Sequence, residues 1–69
     1  MESFKLKATH DKYYFEIVED NPDIGWYLYV FQNGISVYDS LQDDIETLKE
    51  IALDKFSCPV SNWKAIHKL

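Results

Sequence analysis

Over residues 3–20 the chain alternates apolar and polar positions, and further on the pattern changes. In "SFKLKATHDKYYFEIVED" the alternation predicts two strands joined by a tight turn. With the turn at His10-Asp11, Thr9 faces Lys12, and Ala8 pairs with Tyr13, Leu6 with Phe15 and Phe4 with Ile17 on one face. The other face pairs Lys7 with Tyr14 and Lys5 with Glu16, the latter of opposite charge. Apolar and polar residues separate without remainder, the condition a register must meet when one face is buried.

The stretch "GWYLYVFQNG" breaks the alternation with six consecutive apolar or aromatic residues before Asn33-Gly34. Asn-Gly is the strongest short-range hairpin signal, so a second hairpin is expected there. Pairing outward sets Gln32 against Ile35, Val30 against Val37 and Trp26 against Leu41, with Leu28 on the same face opposite Asp39. The other face receives Phe31 with Ser36, Tyr29 with Tyr38 and Tyr27 with Ser40. One face is thus aliphatic and Trp-bearing, the other rich in tyrosine.

From residue 40 the apolar positions recur at helical spacing. Ser40 is the expected N-cap, with Asp43 three residues on. Leu41, Ile45, Leu48, Ala52 and Phe56 form one stripe, flanked by Ile51, and Asp43, Glu46, Thr47, Glu50 and Asp54 form the opposite one. Pro59 ends this helix, and "VSNWKAIHKL" predicts a second, short helix capped by Ser61, with Trp63 and Ile66 three apart on one side. The expected fold is α+β in one domain, residues 1–69: a four-stranded antiparallel meander, a long helix packed on one face, and a short final helix.

Charge narrows the classes of function. The chain carries seven lysines, no arginine and a formal net charge of -5. Nucleic-acid readers neutralise phosphates with basic patches, so direct nucleic-acid binding is not expected and a basic protein partner is favoured. The first residues, "MESFKLKATH", contain no apolar signal region, and no segment approaches the roughly 20 apolar residues of a membrane span. With Cys58 as its single cysteine, the chain reads as a cytoplasmic protein without membrane contact.

Candidate chemistry is sparse. Cys58 and His67 are a conceivable nucleophile and base, but Cys58 lies between a helix end and a proline and no third group accompanies them. His10 and His67 are too few for a zinc site, and the acids of the 19–23 loop lack calcium-loop spacing and a closing glutamate. No catalytic residue, metal or cofactor is assigned, and an enzyme is not expected.

Two surfaces stand out instead. The first is the tyrosine-rich sheet face of Tyr14, Tyr27, Tyr29, Phe31 and Tyr38, edged by Lys5, Lys7 and Glu16. Tyrosine combines large area with a polar tip, as interfaces require. Three occupants are open for this face: a foreign protein, a second copy, or the chain's own tail through Trp63, Ile66 and Leu69. The second surface is the acidic stripe of Asp43, Glu46, Glu50 and Asp54, which is either a solvated face or, joined by the 19–23 loop, an imitation of a phosphate backbone.

The run from Gly25 to Lys64 also carries a resemblance, through Trp26 in an aromatic strand, the "YDSLQD" junction at 38–43, and Phe56, Pro59 and Trp63 beyond the acidic helix. In these marks the chain resembles short, uncharacterised acidic proteins of bacteria and phages, of the immunity- or inhibitor-protein type. The resemblance covers roughly the last two-thirds of the chain and implies a module that blocks a basic partner such as a toxin, nuclease or defence effector. The alternatives are a homodimeric adaptor joined through the tyrosine-rich face, and a single-stranded nucleic-acid binder stacking bases on Tyr27, Tyr29 and Tyr38, which the charge disfavours.

Overall fold

Both hairpins form, and the sheet they build gains a fifth strand. The computed structural model describes residues 4–19 and 25–67. Strands β1 (Phe4–His10), β2 (Tyr13–Glu19), β3 (Trp26–Gln32) and β4 (Ile35–Gln42) run as an antiparallel meander. Helix α1 (Ile45–Phe56) follows, then a 3₁₀ turn at Val60–Asn62 and strand β5 (Lys64–His67), which pairs antiparallel with β1. The strand order is β4-β3-β2-β1-β5, and the fold is α+β.

The first turn lies at Asp11-Lys12, one residue later than expected, and β1 pairs Leu6 with Ile17, Ala8 with Phe15 and Lys7 with Glu16. Asp11 takes the left-handed φ of 57°, a conformation that Asp tolerates better than most residues. The correction moves β1 by two residues along β2. Side chains alternate with period two, so every residue keeps its expected face.

The second turn is where expected, with Asn33 at φ 55° and Gly34 at φ 78°, the paired positive values of a type I′ turn. Beyond Phe31 opposite Ser36, however, the register slips: Val30 pairs with Tyr38, Tyr29 with Asp39, Leu28 with Ser40 and Tyr27 with Leu41. One extra residue in β4, around Val37, makes a β-bulge and exchanges the faces of the rest of the strand. Tyr38 therefore leaves the outer face for the helix side, and Leu41 goes the other way.

The core lies between α1 and one sheet face. Phe15, Ile17, Leu28, Val30, Leu48, Ala52 and Cys58 are fully buried, with Leu6 and Ala8 nearly so. Phe56, at the end of α1, joins the layers: its ring meets Tyr13 at 4.9 Å, Phe15 at 5.8 Å and Tyr38 at 5.7 Å between centroids. Tyr38 is drawn inward by this aromatic cluster, where edge-to-face contacts add to the buried area.

Helix α1 begins later than the apolar spacing implies, because Ser40, Leu41 and Gln42 remain in β4. Its N-cap is Asp44, whose carboxylate accepts a 2.7 Å hydrogen bond from the Thr47 N–H. The helix ends at Ser57, which is left-handed at φ 60° and donates its N–H to Leu53 O at 2.9 Å. The expected final helix is instead the 3₁₀ turn and β5, so Trp63 and Ile66 take opposite sides. Trp63 packs on Phe15 with centroids 6.0 Å apart, and Ile66 lies opposite Lys5 on the outer face.

Candidate functional site

Strand register sorts the outer face, the one α1 does not cover, into three cross-strand rows. Running from β5 to β4, the first is Ile66, Lys5, Val18, Tyr27 and Leu41. The second is Lys64, Lys7, Glu16, Tyr29 and Asp39. The third is Thr9, Tyr14, Phe31 and Ser36. Helix α1 and Trp63 pack on the opposite face, so Trp63 is not among the residues that cover this one. Leu69 lies outside the described residues.

Four of the five aromatics expected on this face are there, in one cluster. Tyr27 and Tyr29 stack with centroids 5.4 Å apart and planes at 17°. Tyr29 lies 6.4 Å from Phe31, and Phe31 lies 6.0 Å from Tyr14. The fifth, Tyr38, sits on the helix side by reason of the bulge, half-buried, with the Lys55 ammonium 5.6 Å from its ring centroid. Leu41, 41% exposed, takes its place on the outer face, and no alternation in "ISVYDSLQ" marks this exchange.

Polar groups brace the centre of the face. The Tyr14 hydroxyl donates to Glu16 Oε2 at 2.7 Å, and Lys5 Nζ lies 3.5 Å from the same oxygen. Burial, then the Glu16 hydrogen bond and charge, push the Tyr14 hydroxyl up to about 12. Toward β5 the face is basic. Lys7 and Lys64 stand directly opposite each other across β1 and β5, with no carboxylate within ion-pair distance of either among the described residues. A cleft of about 240 Å³ opens beside them, lined by Lys7, Thr9, Tyr14, Asn62 and Lys64. Like charges directly across a ladder cost stability, which makes the pair informative.

The acidic stripe lies on the other layer. Glu46, Glu50 and Asp54 follow one another at four-residue intervals along α1 and are all exposed. Asp43 is exposed too, but precedes the Asp44 cap instead of belonging to the helix. Of the 19–23 loop, residues 20–23 lie outside the described residues.

The other candidates do not assemble. Cys58 is fully buried, and burial pushes its thiol above the ordinary value, the inert state of a structural cysteine. The side chain of His67 lies outside the described set, and His10 ends β1 beside the first turn. Among the described residues no three His, Cys, Asp or Glu side chains converge as a metal site, and no helix is long and apolar enough to cross a membrane. Comparisons with protein-family models, curated proteins and solved structures find no match to this chain.

Proposed function

We propose that this protein is a small, non-catalytic interaction module that binds other proteins, its acidic helix face turned toward a basic target in the manner of an immunity or inhibitor protein. The observation that carries the reading is the outer sheet face: four clustered aromatics, bordered by Val18, Leu41 and Ile66, on the side of the sheet away from α1. Aromatic area with interspersed polar tips is the composition of protein interfaces. The basic target follows from the net charge of -5 and from Asp43, Glu46, Glu50 and Asp54. Such a stripe speeds association with a positive surface more than it deepens affinity.

The rows weigh against a stacking platform for single-stranded nucleic acid. Tyr29 stands between Glu16 and Asp39, where a phosphate backbone tracking the bases would meet two carboxylates. The test is titration with a basic toxin or nuclease encoded beside this gene. Asp43→Lys/Glu50→Lys is expected to slow association and flatten its salt dependence, and Tyr27→Ala/Tyr29→Ala to weaken the complex. If both double variants bind as the wild type does, the proposal fails.

A further inference from the structure

We infer that the outer sheet face is occupied by a second copy of this chain, related by a twofold axis that runs parallel to the strands over β2. The inference rests on reading this face as a protein contact surface, and it names the occupant. Such an axis reverses the order of strands while keeping each row at its own level, so every row meets itself backwards. In the first row Ile66 then faces Leu41 of the second copy, Lys5 faces Tyr27, and Val18 meets its own equivalent. In the second row Lys64 faces Asp39, and Lys7 lies over the Tyr29 ring. In the third, Thr9 covers Phe31 and the two Tyr14 rings meet at the axis.

This pairing answers two features that have no account within one chain. The uncompensated Lys7–Lys64 pair gains a carboxylate from Asp39 and an aromatic face from Tyr29, the two partners lysine favours. Leu41, 41% exposed through the bulge, gains an apolar neighbour in Ile66. Glu16 comes close to its own equivalent, but each is already held by Lys5 and Tyr14.

Size is sufficient as well. At ~4.8 Å between strands and ~3.3 Å per residue, the face measures about 24 by 20 Å, on the order of 500 Å² per copy. Two copies together reach about 1,000 Å², the lower bound of specific interfaces, so a moderate affinity is expected. Facing sheets stack ~10 Å apart with a turn of about 30°, a displacement that lysine side chains span. The dimer keeps both acidic helices outward, one on each side, available to a basic target.

The experiment is sedimentation equilibrium on the full chain from low micromolar to millimolar concentration. The wild type is expected to be a dimer at the upper end. Asp39→Lys, an exposed site whose folding is checked by circular dichroism, is expected to raise the dissociation constant at least about tenfold by opposing like charges. Asp39→Lys/Lys64→Asp, which exchanges the two signs, is expected to recover most of that loss. A wild type that stays monomeric at millimolar concentration overturns the dimer alone. A dimer indifferent to both variants overturns this arrangement and leaves the reading of this face as a contact surface to the titration with the Tyr27→Ala/Tyr29→Ala variant.

Discussion

Helix α1 meets the sheet through one face only, and two of its leucines measure how sharply. Leu48 is fully buried among Phe15, Leu28, Val30 and Ala52, whereas Leu53 is 47% exposed. Leu48→Ala removes three carbons worth ~0.8 kcal/mol each in transfer, and the cavity left behind raises the loss to about 3 kcal/mol. A domain of this length commands roughly 3–10 kcal/mol in all, so that single change consumes a large part of its stability. Leu53→Ala makes the same chemical change on the half-solvated side, and should cost under about 1 kcal/mol. Urea unfolding followed by circular dichroism separates the two. Leu48→Ala should lower the midpoint at unchanged slope and shift the melting temperature by about 10–20 °C, while Leu53→Ala stays near wild type. Equal losses, or a larger one at Leu53, would mean that α1 is rotated and the acidic stripe misassigned.

Three further predictions concern local devices. Gly25 holds a φ of 128°, and a Cβ there would run into the Gln42 carbonyl oxygen, so Gly25→Ala should destabilise by at least about 2 kcal/mol in the same unfolding assay. The Thr47 N–H holds the Asp44 carboxyl below its ordinary 3.8. Because the folded value is the lower one, the cap contributes above pH 3.8 and its contribution fades as the pH falls below that. The stability gap between wild type and Asp44→Ala should therefore narrow in acid, and Asp44→Asn should not reproduce that pH dependence. The Tyr14 hydroxyl, pushed up to about 12 mainly by burial, should ionise well after an ordinary tyrosine in an ultraviolet titration. Glu16→Gln should bring it down only partway toward 10, since burial remains.

Much of this architecture was legible in the residues, and the departures share a cause. Period-two alternation found β1 and β2 and the correct face of each residue in the first hairpin, even with the turn displaced, and Asn33-Gly34 found β3 and β4. Two registers that differ by two residues bury the same side chains, so alternation alone cannot choose between them; the choice rests on Asp11 accepting a left-handed turn. In β4 the pattern pointed the wrong way. Val37 and Leu41 look like an inward set, yet they are 47% and 41% exposed, because a single bulge residue turns the strand over and lets Tyr38 reach Phe56, while Ile35, ahead of the bulge and opposite Gln32, is 67% exposed beside the turn. A bulge leaves no signature in hydrophobic order, and so the pattern alone assigns Tyr38 to the outer face. The last strand was missed because Trp63 and Ile66, three apart, fit one side of a helix as readily as opposite sides of a strand. β5 is four residues long and owes its form to the free edge of β1, a long-range partner that local pattern does not reveal.

The buried indole N–H of Trp63 has no acceptor among the described residues, a cost carried by packing against Phe15. Its place on the core side keeps the largest side chain of the tail away from the aromatic rows. What then covers those rows is the central question, and a mixed sample of isotope-labelled and unlabelled chain answers it most directly. Isotope-filtered Overhauser spectra on the dimer should show intermolecular contacts from Ile66 to Leu41, from Val18 to its own equivalent, and around Tyr14. Intermolecular contacts that arise from α1 or the β4 edge, with none on the outer rows, would contradict the account.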